Sequence, residues 1–327
     1  MRLGVIGTFV WDRIHARDGR AAPVEEWGGI SYALAAAAAA VPPGVTIVPI
    51  VRLGADLAPR AFDFLRTLPN LDIEHGIRVV QEPNNRVELR YHDREKRVER
   101  LTGGVGPWPW LELQPLLAGI DALYINYISG FELDLATTTL LRAHFTGPVY
   151  ADLHSLMLGV GADGVRVPRP LEDWPAWLRC FDAVQLNEDE LAMLAAAWGD
   201  PWLFAAHVVT GAPRLLVLTL GERGAAYFAA PGFTADPGTW RRGPVLTPPP
   251  LRPCEALRTR RVPPDLKPRE GDPTGCGDVW GATFFCSLLG GAELEAAMHN
   301  ANAAAARNVE HRGATGLHHH LMGRIGT

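Results

Sequence analysis

Short apolar runs alternate with longer helix-like segments along most of this 327-residue chain. The strand-like runs cover residues 2–7, 47–51, 122–125, 149–152, 183–186 and 215–220. The helix-like segments cover residues 30–40, 59–68, 133–145 and 188–197, and two more begin near residues 278 and 293. Such alternation is typical of parallel strands that are joined by helices. The sequence therefore predicts an α/β fold in which helices cover both faces of a central, mostly parallel sheet.

Composition limits the partners that such a protein can have. Apolar residues make up 47% of the chain, which is enough for a sizeable core in one large domain, with or without a smaller subdomain. The formal net charge is −5, so no basic field attracts nucleic acid or an anionic membrane. The sequence contains no apolar run of 18 residues and no charged-then-apolar leader. We therefore expect a cytoplasmic protein that binds neither nucleic acid nor membranes.

Two glycines and an acid precede an apolar helix in the stretch Asp272-Pro-Thr-Gly-Cys-Gly-Asp278. A helix N-terminus with unpaired N–H groups attracts anions, and Gly275 and Gly277 let the backbone approach one closely. An acid beside a bound phosphate suggests a base that takes a proton from an attacking hydroxyl, which suits phosphoryl transfer to an alcohol. The other interpretation of a short Gly-x-Gly-Asp is a turn with Asp278 as a helix cap.

The longer string closely resembles the C-terminal signature of the ribokinase-like (PfkB) carbohydrate kinases, which usually carry alanine at the position of Cys276. The resemblance implies a ribokinase-like three-layer α/β/α domain over residues 1–327, with a small β lid. It also implies that Asp278 is the general base and that the backbone N–H groups of Gly275, Cys276 and Gly277 form an anion hole. ATP and Mg²⁺ are the implied cofactors, and a monovalent cation such as K⁺ beside the hole is common in the family.

The resemblance extends to residues that would bind the acceptor. These are Asp12, Gly28, Gly29, Ser31, Asp152 and His154. Asp12 follows the first strand, where the family has an Asp that binds substrate hydroxyls. The family's diglycine motif continues to an Asn that is Ala33 here, so Ser31 or Tyr32 would have to replace that amide. A further departure is His154, which stands where many members have the Asn of Asp-x-Asn.

A second group of residues matches the donor side of the family's site. The implied ATP-binding residues are Asn187, Thr219, Gly221, Gly224 and Asn302, and Glu190 would hold Mg²⁺ mostly through water. Asn187 to Glu190 is also the pattern of a capped acidic helix start. The helix that carries Asn302 is mostly alanine, so packing alone is an alternative explanation of that helix.

Two segments interrupt the strand and helix alternation. Segment 11–27 is polar and irregular, whereas in segment 85–101 apolar residues such as Val87 and Leu89 alternate with charges, which predicts an exposed antiparallel hairpin. This hairpin is either a decorative edge or, as the resemblance implies, forms together with segment 11–27 a small β-sheet lid that excludes water from the acceptor. Its apolar side would be buried in the cleft or against a second subunit, in a homodimer formed through the lid.

Taken with the resemblance, the sequence indicates an ATP-dependent phosphotransferase for an alcohol group of a sugar, nucleoside or related small polyol. Its partners would be this small-molecule acceptor and ATP. Two alternatives remain: a non-catalytic sugar- or nucleotide-binding regulatory protein on the same scaffold, and a kinase of a non-sugar alcohol such as a vitamin precursor. The intact Asp278 favours a catalyst, because a binding protein has no chemical need for that acid.

Overall fold

The structure is a computed structural model, and it describes residues 1–15, 22–91, 97–240, 256–264 and 271–323. A nine-stranded sheet lies at its centre. From edge to edge its strands are β15 (Arg258–Val262), β14 (Ala225–Ala229), β13 (Leu215–Thr219), β12 (Ala183–Asn187), β9 (Val149–Asp152), β8 (Ala122–Asn126), β1 (Arg2–Ile6), β4 (Thr46–Gly54) and β5 (Ile77–Val80). Neighbouring strands from β13 to β5 are parallel, whereas the β13–β14 and β14–β15 pairs are antiparallel. The predicted mostly parallel sheet is therefore confirmed.

Helices cover both faces of this sheet. On one face lie α1 (Ile30–Ala40), α2 (Ala58–Arg66), α8 (Cys276–Leu289), α9 (Leu294–Asn308) and α10 (Leu317–Leu321). On the other lie α3 (Trp110–Leu113), α4 (Leu135–His144), α5 (Trp174–Leu178), α6 (Glu188–Leu194) and α7 (Pro201–Val208). Strand side chains alternate between the two cores: Leu215 and Val217 pack on the first face, and Leu216 and Leu218 on the second. Burial on both sides explains why these strands are continuously apolar in sequence.

The alanine-rich helix α1 packs closely against α8, and α8 packs against α9. Residues Ala35, Ala36 and Ala37 are almost completely buried. Small side chains let the helix axes approach, so the alanine tract is a packed core helix as predicted. This packing brings the N-terminus of α8 next to the N-terminus of α1.

A second, four-stranded sheet, which we call the lid sheet, has the strand order β3 (Val24–Gly29), β2 (Phe9–His15), β6 (Arg86–Tyr91), β7 (Arg97–Thr102). Segment 11–27, one of the two segments that the resemblance implies as a lid, contributes parts of β2 and β3 where it is described, and Asp12 lies within β2, which pairs with β3 and β6. Strand β2 can contain polar residues because the lid sheet is partly exposed. The remainder of that segment, residues 16–21, and the hairpin tip at 92–96 lie outside the described residues.

The apolar side of the hairpin does not need a second subunit to bury it. Val87 is 6% exposed and Leu89 is 3% exposed within this one chain. Both belong to the same core cluster as Phe9 and Trp27, which the lid sheet contributes itself. A homodimer through the lid remains a prediction, but burial of these side chains is no longer an argument for it.

A short hairpin of β10 (Leu158–Val160) and β11 (Arg166–Pro168) connects the lid sheet to the main sheet. Leu101 N in β7 donates a hydrogen bond to Gly164 O at 2.8 Å. Arg166 pairs with Glu99 of β7 at 3.3 Å and also donates from Nη2 to Ile128 O, which follows β8, at 3.0 Å. The lid sheet is thus tied to the loop that leaves the centre of the main sheet.

Candidate active site

The loop before α8 is shaped by the acid Asp272, by Gly275 and by contact with the buried ring of Tyr32 on α1. Asp272 Oδ1 accepts hydrogen bonds from Thr274 N at 2.9 Å and Thr274 Oγ1 at 2.6 Å, which closes a tight turn. Gly275 follows with a φ of 77°, and a Cβ at this position would lie 2.4 Å from the ring of Tyr32. Only glycine satisfies both the left-handed backbone and the close ring contact.

The backbone donors of this loop are not equivalent. Cys276 N donates to Pro273 O at 3.1 Å and is therefore already used within the turn. Gly275 N and Gly277 N make no hydrogen bond within the described part of the chain. Gly277 is exposed, and the nearest atom to a Cβ there would be Gln185 Nε2 at 3.8 Å. Of the three N–H groups predicted to form an anion hole, those of Gly275 and Gly277 are therefore available for a ligand, and the anion hole itself stays a prediction.

Asp278 lies in the first turn of α8 and is partly exposed. Asn126, at the carboxyl end of β8, donates from Nδ2 to Asp278 Oδ1 at 2.8 Å. Asn126 was not predicted from the sequence. The only signal was a polar residue at the end of an otherwise apolar strand, and the strand lies 152 residues away from its partner.

Gln185 of β12, which was also not predicted, links the loop to the sheet. Its Nε2 donates to Gly277 O at 3.0 Å and to Asp152 Oδ2 at 2.8 Å, and its Oε1 accepts from Tyr150 Oη at 2.7 Å. Parallel pairing sets Asp152 beside Asn126 on one side and Gln185 on the other. Polar ends of adjacent strands therefore converge beneath α8, as expected at the carboxyl edge of an open α/β sheet.

The thiol of Cys276 points away from the glycine backbone. Asn308 Nδ2 lies 3.4 Å from its Sγ, and Sγ donates to Ala305 O at 3.5 Å, so the thiol packs on α9. Burial raises the pKa of Cys276 to about 11. The thiol is protonated at neutral pH, which leaves Asp278 as the only ionisable base of the loop's last three residues.

His154 and Glu190 form an ion pair beside Asp152. His154 Nδ1 donates to Glu190 Oε1 at 2.8 Å, and the His154 side chain keeps 38% of its surface exposed. Glu190 also accepts from Asn187 N at 2.8 Å and Asn187 Nδ2 at 2.6 Å, while Asn187 Oδ1 accepts from Glu190 N at 2.9 Å. This is a capping box at the start of α6, so the capped helix start weighed for these residues is present.

The ionisation of this cluster is strongly perturbed. Burial lowers the pKa of His154, but the hydrogen bond and charge of Glu190, with Asp152 and Asp278, outweigh it and raise the pKa to about 9. Burial raises the pKa of Asp152 to about 8, with Glu190 and Asp278 adding to the rise and His154 opposing it. His154 is therefore a cation at neutral pH, at the place where the family's Asn is neutral.

Asp12 and the diglycine face each other between the lid sheet and α1. A Cβ at Gly28 would lie 1.8 Å from Asp12 Oδ2, and Gly29 has a φ of 60°. Asp12 is buried at 6% exposure. Burial raises the pKa of Tyr32, and the charges of Asp12, Asp272 and Asp278 raise it further, so both ends of the site lie around this ring.

Ser31 does not face the cleft. It is fully buried, and its hydroxyl donates to Gly28 O at 2.7 Å. The expectation that Ser31 replaces the missing Asn amide at Ala33 is not supported, because its hydroxyl is used to hold the turn. Tyr32 is 2% exposed and lies under Gly275, so it supports the loop from below.

Thr219 and the two glycines after it lie beside Asn187 at the edge of the site. Thr219 is the register partner of Asn187, and its Oγ1 donates to Leu186 O at 3.4 Å. Gly221 has a φ of 57° with open space where a side chain would be, whereas a Cβ at Gly224 would lie 2.3 Å from Val262 O. Gly221 thus borders free volume, and Gly224 is needed for packing.

Asn302 is buried between helices and lies among structural contacts. Its Oδ1 accepts from Trp280 Nε1 at 2.8 Å, and its Nδ2 donates to Val262 O at 3.2 Å. Both ends of the amide hold α8, α9 and β15 together. Any contact with a nucleotide would therefore involve the surroundings of Asn302 more than its amide.

Glu190, the residue predicted to hold Mg²⁺, already has hydrogen-bond partners. Both carboxylate oxygens of Glu190 already accept hydrogen bonds from His154 or Asn187. Within the described ranges, no group of three or more His, Cys, Asp or Glu side chains is arranged to hold a metal ion. Binding of Mg²⁺ at Glu190 through water stays a prediction. In the described residues, no helix has the length and apolar character needed to cross a membrane.

Comparison with solved structures identifies the fold. Ribokinase from Thermotoga maritima has a TM-score of 0.72 at 16% identity, over 99% of this chain and 98% of that one. A pyrophosphate-dependent kinase in the ribokinase family has a TM-score of 0.70 at 20% identity, over 96% and 97%. Ribokinase from Cryptococcus neoformans in complex with ADP has a TM-score of 0.67 at 19% identity, over 97% and 96%.

The similarity extends over nearly the full length of each of these chains. No family model and no curated protein matches this sequence. The chain therefore has the ribokinase-like fold, a three-layer α/β/α architecture with a lid sheet.

Proposed function

We propose that this protein is an ATP-dependent phosphotransferase that phosphorylates an alcohol group of a sugar, a nucleoside or a related small polyol. One observation carries the proposal: Asp278 lies in the first turn of α8, directly after the unpaired N–H groups of Gly275 and Gly277, and is held there by Asn126. The helix dipole alone would favour an acid in this turn, but beside a bound phosphate that acid also has a use as the base of phosphoryl transfer. The ribokinase-like fold around it is consistent with a kinase.

In this proposal Asp278 is the general base. It accepts the proton of the acceptor hydroxyl while that oxygen attacks phosphorus, a role that contributes about 10²–10⁴-fold in rate. The N–H groups of Gly275 and Gly277, together with the N-terminal end of α8, stabilise the negative charge on the transferred group. Cys276 keeps its proton and its N–H bond to Pro273, so it supports the loop without taking part.

The acceptor lies between the lid sheet and the carboxyl edge of the main sheet. Asp12 accepts hydrogen bonds from its hydroxyls, and the missing side chain at Gly28 makes space for that carboxylate. Asp152 and His154 form the opposite wall. The lid sheet excludes water, which would otherwise compete with the acceptor hydroxyl for the phosphoryl group.

The donor side is formed by Asn187, Thr219, Gly221 and Gly224, and Asn302 braces the helices behind it. ATP would supply the transferred phosphoryl group, and Mg²⁺ would neutralise phosphate charge, with Glu190 acting through water. A monovalent cation such as K⁺ beside the α8 loop belongs to the same proposal. ADP is bound in one of the similar ribokinases, whereas another similar kinase is pyrophosphate-dependent. The choice of donor is therefore part of the test.

The test is a screen of sugars, nucleosides and small polyols for phosphorylated product, with ATP and with pyrophosphate as separate donors. Product is followed by ³¹P NMR, so that hydrolysis to free phosphate is distinguished from transfer. We expect transfer from ATP to at least one cyclic polyol acceptor. Tight acceptor binding without any transfer would support a regulatory binding protein instead, and transfer only to non-sugar alcohols would support the vitamin-precursor alternative.

A further inference from the structure

Asn126, a residue of the main sheet, donates a hydrogen bond to the carboxylate of Asp278. It is completely buried at the carboxyl end of β8, and its Nδ2 lies 2.8 Å from Asp278 Oδ1. The backbone of Asn126 is fixed by strand pairing with Asp152 and by the bond from Ile128 N to Asn126 O at 3.0 Å. The amide therefore approaches Asp278 from a rigid element.

The other end of the same amide has no partner. Asn126 Oδ1 is buried and accepts no hydrogen bond in the described residues. An ionised carboxylate only accepts hydrogen bonds, so the NH₂ group must face Asp278 and the unpaired oxygen must face away. A buried acceptor without a donor is destabilising, and such groups persist mainly where function requires them.

We propose that Asn126 is a positioning residue for the catalytic base, an inference that rests on the proposed function of Asp278. Its amide fixes the direction of the Asp278 carboxylate towards the acceptor. As a neutral donor, it also favours the ionised form that can accept a proton. Replacing this amide with a second acid would reverse that preference.

The titratable groups around Asp278 come from every element packed against it. Tyr32 lies on α1, Tyr124 on β8, Asp152 on β9, His154 after β9 and Cys276 on α8 itself. Of these, only His154 carries positive charge at neutral pH. Asn126 is also uncharged, so its bond to Asp278 does not depend on the protonation of these neighbours.

Three variants test the proposal: Asn126→Asp, Asn126→Leu and the exchange Asn126→Asp with Asp278→Asn. In Asn126→Asp two carboxylates lie at hydrogen-bond distance and must share a proton, so at least one pKa rises. A raised acid pKa makes stability fall as pH rises, so this variant should lose stability, relative to wild type, between about pH 4 and pH 8. The exchange restores one carboxylate and one amide, so it should regain stability while remaining inactive.

Kinetics separate positioning from stability. Asn126→Leu should lower kcat by about 10²-fold, because the base is no longer aligned, with a much smaller change in the KM for ATP. Thr138→Val is the control, because Thr138 is also completely buried, donates from Oγ1 to Asp134 O at 2.7 Å and lies on α4, on the opposite face of the main sheet from α8. It should lose stability but keep the wild-type kcat.

The outcomes separate the positioning role of Asn126 from the proposed function of the protein. A wild-type kcat in Asn126→Leu, or an active exchange variant, would overturn the positioning role alone. A wild-type pH–stability curve in Asn126→Asp would overturn the contact itself, whatever the activity. Absence of any phosphotransferase activity in the wild-type protein would overturn the proposed function and the positioning role with it, while the stability effect of Asn126→Asp would persist.

Discussion

His154 is the residue that most changes the electrostatics of the site. In the family pattern its position is a neutral Asn, whereas here an imidazolium donates to Glu190 at 2.8 Å and lies close to Asp152. The positive charge of His154 offsets the negative charge of Glu190, which would otherwise add to the negative potential that Asp278 creates.

This arrangement predicts a pH dependence of stability. The folded-state pKa of His154, about 9, lies above its ordinary value of 6.5, so its stabilisation is present below about pH 6.5 and is lost as pH rises through 9. His154→Asn should therefore cost on the order of 1 kcal/mol at pH 6, a value kept small because water screens the exposed side chain, and nearly nothing at pH 10.

Urea unfolding of His154→Asn and wild type across pH 5–10 checks this difference. Asp152→Asn, measured in parallel, separates the contribution of that carboxyl, whose pKa is also raised by burial. A cost that stays constant across the range would mean that His154 contributes packing and not charge.

Local conformation was predictable where a short sequence pattern determines it. The turn before α8 needs glycine at Gly275 because of its left-handed φ, and the acid after it was visible in the same string. Asn126 and Gln185 could not be predicted, because a single polar residue at a strand end has no spacing pattern. Ser31 was placed in the cleft by sequence position, but its short side chain turns back to Gly28 O.

At the scale of elements, the N-terminus of α8 predicts opposite effects for its two glycines. A methyl group at Gly277 meets nothing closer than 3.8 Å, so Gly277→Ala should fold with wild-type stability. The same methyl would stand where an anion must approach the backbone. Gly277→Ala should therefore lower kcat by about 10-fold or more, by loss of transition-state stabilisation.

Gly275→Ala is the paired variant. Its methyl would meet the Tyr32 ring at 2.4 Å on a left-handed backbone, which should destabilise the protein by about 1–3 kcal/mol. Thermal unfolding and kcat are measured for both variants. Full activity in a stable Gly277→Ala protein would mean that the N-terminus of α8 does not bind the transferred group.

Element boundaries were predicted best where an apolar run meets a polar residue, glycine or proline. Strand β9 and helix α1 agree with the predicted ranges, because their apolar runs end sharply at polar or turn residues. Helix α6 ends at Leu194, three residues earlier than predicted, since alanine continues the pattern without a stop signal. Strands β2 and β3 lie in a segment that only the resemblance implied as part of a β lid, because a partly exposed sheet does not require apolar runs.

At the scale of the whole molecule, the site is assembled from distant segments by the topology of the main sheet. The carboxyl ends of β8, β9, β12 and β13 bring Asn126, Asp152, Gln185 and Thr219 to one edge. The contact between α1 and α8 adds Tyr32 and Asp278, and the lid sheet adds Asp12. Arg166 links the lid sheet to the loop after β8. The ribokinase-like architecture could be expected from the alternation of elements and the signature, but these long-range contacts required the structure.

The role of Asp278 as the general base is tested by the turnover of Asp278→Asn with the acceptor that the screen identifies. The substitution keeps the shape of the side chain and removes the base, so kcat should fall by about 10²–10⁴-fold or more. Calorimetry should show nearly unchanged ATP affinity, and thermal unfolding should show a folded protein. Retention of more than about a tenth of the wild-type rate would contradict the account, because a general base contributes far more than that factor.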